Sequence, residues 1–176
     1  MIGAGRAPLH PIFTHFTIAL TASSLAFDAL GRVLDTSSLP AAGYWTLVTA
    51  VPVTLLTVLS GVASRARLPM EEGEARAWMR SHAALGPTFL GGLVAVAAWR
   101  ISLGNADVRV PWIYLLAVAM LVIVMTVQGY LGGELVYRFG AAVHGRYPRL
   151  ASSRGLVGAP PVISAVSAGR EPPDGE

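Results

Sequence analysis

The stretch PWIYLLAVAMLVIVMTVQGYLGGELVY, residues 111–137, decides the fold. From Trp112 to Gly133 it holds no charged side chain. A helix needs ~20 mostly apolar residues to cross the ~30 Å hydrocarbon core of a bilayer, and this run is long enough. Pro111 stands at a first-turn position, where a missing N–H costs nothing. Three further apolar runs appear on working outward: about 11–34, with Asp28 near its far end; about 43–63, containing Pro52; and about 82–103, containing Pro87. Prolines inside such helices are tolerated because neighbouring groups satisfy the freed carbonyls. The sequence therefore predicts an all-α integral membrane four-helix bundle, up-down-up-down.

Composition agrees. The 176 residues are 53% hydrophobic and 13% charged, whereas a soluble domain carries about 25% charged residues. Mean hydropathy is +0.57. All thirteen basic residues are arginine and the net charge is +3. No face interleaves basic and aromatic residues, so nucleic acid is not an expected partner; the lipid bilayer is. The absence of cysteine excludes disulfides, thiolate metal sites and thiol nucleophiles. No nucleophile elbow, phosphate loop or dinucleotide fingerprint is present, which argues against an enzyme acting by itself. The first run continues through Phe27 and Asp28, so it reads as a helix and not as a cleavable signal.

The connections near 35–42 and 104–110 are short. The one near 64–81 is long and charged, and its Glu71–Arg76 segment reads as a short surface helix. Beyond Pro148 the chain turns to Ser, Gly, Pro and Ala. Residues 1–144 are thus expected to form the membrane domain and 145–176 a disordered cytoplasmic tail. Four crossings put both ends on one side, with Arg6, Arg65, Arg67, Arg76, Arg80, Arg138, Arg146, Arg149, Arg154 and Arg170. The other side keeps Arg32, Arg100 and Arg109. Arginine excess marks cytoplasmic loops, so both termini are placed in the cytoplasm.

The same topology puts all four histidines, His10, His15, His82 and His144, at the cytoplasmic face. His15 is the deepest, about one turn in; His82 opens the third helix. His10 and His15 are five apart, about 140° around a helix, so a regular helix cannot aim both at one ligand. Glu134 lies about a turn inside the fourth helix, and an ionisable residue inside a bilayer is by default a functional candidate. Tyr130, Glu134, Tyr137 and Ala141 recur at helical spacing, and Arg138 is placed to pair with Glu134. Ala19, Ala22 and Ala26 run in line with His15. Gly86, Gly91, Gly92, Gly129, Gly132 and Gly133 favour close helix packing or leave room for a flat macrocycle. Asp28 reads as a helix-end or interface carboxylate rather than a proton carrier.

The opening His10-Pro11-Ile12-Phe13-Thr14-His15-Phe16, followed by Ile18-Ala19-Leu20 and Asp28, resembles a bacterial membrane-protein family catalogued as domain of unknown function twenty-two thirty-one. Gly132-Gly133-Glu134-Leu135-Val136-Tyr137-Arg138-Phe139-Gly140 resembles its second signature. The resemblance spans about residues 8–143. Thr17 departs from an expected proline, and Phe139 from histidine or tyrosine. The resemblance implies a bacterial inner-membrane protein. It also implies a redox neighbourhood, since relatives are joined to Rieske-type or cytochrome c domains.

Three function classes fit these residues. The first is a membrane electron-transfer protein or subunit binding b-type haem between helices one and three. Here His15 and His82 are the axial ligands, Gly86 makes room, and Arg80 or Arg138 meets the propionates. His10 and His144 are candidates for a second haem, and Tyr137 is a further one for the site. A redox protein or respiratory complex is then the expected partner. The second is a non-haem metal or proton-relay site built from His15, His82 and Glu134. The third is a cofactor-free structural or accessory subunit.

Overall fold

A computed structural model of the chain describes residues 9–66 and 73–141. Four helices account for nearly all of them: α1 (Leu9–Val33), α2 (Ser38–Arg65), α3 (Glu74–Ser102) and α4 (Trp112–Tyr137). Each is long and apolar enough to cross a membrane. α1 packs on α2, α2 on α3, α3 on α4, and α4 back on α1, while α1 and α3 face each other across the diagonal. The four-helix membrane bundle expected from the sequence is the observed fold. The expected tail, 145–176, lies outside the described residues, as do His144 and Glu71.

The helix ends follow local rules. After α1 the chain reverses at Asp35, in the left-handed region at φ 55°. Asp35 also pairs with Arg109 of the 103–111 connection. Pro40 in the first turn of α2 lies so close on Gly31 that no larger residue fits there. α3 begins directly after Gly73, whose φ of 135° is open to glycine and few others. The residues read as a short surface helix are thus, from Glu74 on, the first turns of α3 itself. Gly104, at φ 113°, ends α3. Pro111, extended at ψ 156°, is the cap of α4, and its carbonyl accepts from Tyr114 and Leu115.

The apolar core is built by α2, α3, α4 and the connection leading into α4: Leu47, Phe89, Leu93, Val110, Leu115 and Val118 are essentially buried. α1 contributes none of the fully buried hydrophobics. Its inward face is Thr17, Thr21, Ser24, Asp28 and Gly31, while Leu9, Ile12, Phe16, Ile18 and Leu30 point outward. Outward apolar residues on α2 and α4, such as Leu55, Leu59, Leu116, Met120 and Ile123, continue that surface. So large an apolar surface is stable only against lipid. In such a setting the inner faces are held by close packing and hydrogen bonds, because lipid is as apolar as leucine.

Candidate functional site

His10 and His82 meet across the diagonal at the end of the bundle where α1 and α3 begin. Their ring centroids are 6.2 Å apart and the ring planes stand at 85°. His10 Nδ1 lies 2.9 Å from the Thr57 carbonyl oxygen on α2. His82 Nδ1 lies 3.1 Å from the Gln128 carbonyl oxygen on α4. A carbonyl only accepts, so each Nδ1 carries a proton, and in the neutral ring Nε2 then keeps its lone pair. That is the tautomer in which imidazole binds a metal through Nε2 with its other nitrogen anchored.

Glycine makes both placements possible. A Cβ at Gly61 would come within 2.9 Å of His10 Cε1, and one at Gly132 within 3.1 Å of His82 Cε1. Gly86 plays the same part for Gln128, whose amide nitrogen would stand 3.1 Å from a Cβ there. Gln128 is therefore packed on α3 one helical turn from His82.

The structure corrects the residue expected opposite His82. His15 is exposed on the outer face of α1, and its Nδ1 lies 2.6 Å from the Pro11 carbonyl of its own helix. Ala19, Ala22 and Ala26 share that outer face. The reason is the rule that governs all of α1: in lipid the polar stripe turns inward, and His15 is not on it. His15, His82 and Glu134 are consequently not brought together. Among the described residues no group of three or more histidine, aspartate or glutamate side chains is arranged to hold a metal ion.

The other candidates lie around the rim. Arg80 is exposed, and Tyr137 is 88% exposed. Glu134 is partly buried and 4.0 Å from Arg138. Arg138 instead pairs mainly with Glu74, at 2.9 Å, and stacks over Trp78 and Phe139. Trp78 also contacts Tyr130 and Phe139. This aromatic and arginine belt, typical of a membrane interface, ties α3 to α4 at the histidine end. Phe139 belongs to it as a packing residue.

A second polar cluster occupies the opposite end, and the sequence reading missed it. Asp28 and Arg100 are 1% and 0% exposed and lie 3.7 Å apart. Arg100 donates to the carbonyls of Pro40, Ala106 and Val108 and stacks on Tyr44. Asp28 is neither a helix-end group in water nor Arg100 a loop charge. Gly43 again gives the room, since a Cβ there would meet an Asp28 carboxylate oxygen at 2.7 Å. Tyr114, fully buried, completes the level. Between the two ends, Thr17 of α1 bonds Thr57 of α2 at 2.9 Å and accepts from Thr54 at 3.4 Å. Ser24 donates to the Gly43 carbonyl. The missed signal was the spacing of polar residues along α1, which recur every three or four positions from His10 to Asp28.

Fold and site together define a class: a four-helix integral membrane protein with a half-buried histidine pair at one end and a buried ion pair at the other. The family model described as "Predicted membrane protein (DUF2231)" matches residues 6–145, and the chain belongs to that family. Comparison with curated proteins and with solved structures gave no match.

Proposed function

We propose that this protein is a membrane electron-transfer protein or subunit in which His10 and His82 would hold a b-type haem between α1 and α3. The observation that carries the reading is the 6.2 Å spacing of the two rings. Imidazole–metal bonds are about 2 Å long, so two imidazoles on one metal have centres about 6 Å apart once the distance from nitrogen to ring centre is added. The donor chemistry agrees with haem, whose iron accepts histidine. Gly61 and Gly132 give the space that the two rings themselves occupy.

Within this reading the chain's residues have distinct tasks. The Thr57 and Gln128 carbonyls fix the tautomer and rotation of the two rings. Gly86 lets Gln128 pack so that its backbone is in place for His82. The α3–α4 belt of Trp78, Arg138 and Phe139 holds the rim, where the propionates of such a group would meet Arg138 or Arg80. When bound, haem would supply one-electron chemistry. The partner would be a redox protein or respiratory complex docking at the histidine end, on the cytoplasmic side of a bacterial inner membrane by the arginine distribution.

The test is a dithionite-reduced minus oxidised visible spectrum of full-length protein, purified in mild detergent from haem-sufficient cells. Sharp reduced bands are expected. A flat spectrum from folded protein supplied with haem would overturn the reading.

A further inference from the structure

His10, Thr14, Thr17, Thr21, Ser24 and Asp28 are separated by four, three, four, three and four residues. At 100° per residue they fall within a sector of about 80° on α1. They rise over about 27 Å, close to the ~30 Å thickness of the hydrocarbon core. Thr17, Thr21, Ser24 and Asp28 are all buried. A polar stripe therefore runs inside the bundle from the histidine pair to the Asp28–Arg100 pair.

Interhelical hydrogen bonding alone would explain such a stripe if every group on it were paired. It does not explain Thr21. Its hydroxyl is fully buried and bonds to no protein group, and both Asp28 oxygens lack a hydrogen-bond partner beyond the longer Arg100 contact. The Tyr114 hydroxyl is buried and unpartnered too. Unsatisfied polar groups in a low-dielectric interior are costly, and an intramembrane carboxylate marks ion or proton pathways. Neighbouring positions on the stripe lie ~4.5–6 Å apart along the axis, a gap that one water with two hydrogen bonds of about 2.8 Å spans.

We propose that this stripe is a transmembrane proton path, with Asp28 as its proton-accepting carboxylate and the Thr17–Thr54–Thr57 cluster, Thr21 and Ser24 as relaying hydroxyls. Each hop breaks one O–H bond as the next forms. No electron moves and no co-reactant is consumed, so an imposed pH gradient or membrane potential suffices to drive it. Arg100 from α3, Tyr114 from α4 and Tyr44 from α2 are the charged and titratable groups at the level of Asp28, and α2 also presents Gly43 there. At the opposite end the path reaches His10, faced by His82 from α3. The proposal does not rest on haem.

The experiment uses full-length protein reconstituted into lipid vesicles with an entrapped pH-sensitive dye and a potassium gradient collapsed by valinomycin. Wild type is expected to move protons clearly faster than protein-free vesicles. Asp28→Asn and Thr21→Val are each expected to reduce that flux roughly tenfold or more, while Thr21→Ser, which restores a hydroxyl, keeps most of it. Thr21→Val is the decisive variant. Valine has the same shape, and no protein hydrogen bond is lost, so a merely structural role leaves both fold and flux unchanged. Flux from wild type no faster than protein-free vesicles, or wild-type flux from Thr21→Val with native circular dichroism, overturns the proposal.

Discussion

At the residue scale, buried charge dominates the far end of the bundle. Removing one member of a buried ion pair leaves the other uncompensated, typically at a cost of about 3–5 kcal/mol, whereas an apolar pair of similar volume is often tolerated. Arg100→Leu is therefore expected to destabilise the protein strongly in detergent thermal melts. Asp28→Leu combined with Arg100→Leu is expected to recover part of the loss. Additive losses in that double-mutant cycle would show that the two side chains do not act as a pair. Glycine sets the second residue-level constraint. Gly43→Ala forces a methyl against the Asp28 carboxylate and is expected to cost about 1–3 kcal/mol as an overpacked position, read from the same melts. The sequence named His10 and His82 as candidates but not as partners. Counting apolar residues cannot tell which stripe of a membrane helix turns inward. The polar recurrence through Thr17, Thr21 and Ser24 can, and it excludes His15.

At the element scale, α1 docks chiefly by its polar and small residues, with Leu20, Leu25 and Ala29 at the edge of an oily core built by the other three helices. This reverses the pattern of a soluble bundle, where the apolar stripe faces in. The existence and order of the four helices were legible because a crossing needs a long apolar run and little else does. The starts of α2 and α3 were not. α2 begins at Ser38 and α3 at Glu74, ahead of their apolar runs, because a helix continues past the hydrocarbon into polar sequence where hydropathy no longer marks it. The start of α3 is fixed by a backbone requirement at Gly73, φ 135° and ψ −159°. Gly73→Ala must hold that conformation at a cost of about 1–3 kcal/mol or lose the first turn. Faster amide hydrogen exchange over residues 74–78 than in wild type is expected. Unchanged protection there would show that the turn does not depend on glycine.

At the scale of the whole molecule, an up-down ring of four helices places the histidine pair near one membrane face and the ion pair near the other. The α1 stripe joins the two levels. In the orientation proposed from the arginine distribution, the histidine end faces the cytoplasm. A reporter active only outside the cytoplasm is expected to be silent when fused after residue 141 and active when inserted near residue 105. The opposite pattern would invert the orientation. The measurement that bears most directly on the histidine pair is the reduced-minus-oxidised visible spectrum of wild type beside His10→Ala, His82→Ala and His15→Ala, all purified with haem supplied. The expected result is a b-type spectrum in wild type and His15→Ala that is lost in His10→Ala and His82→Ala. A spectrum that survives in His10→Ala, or depends on His15, would contradict the pairing. So would its absence from folded wild type.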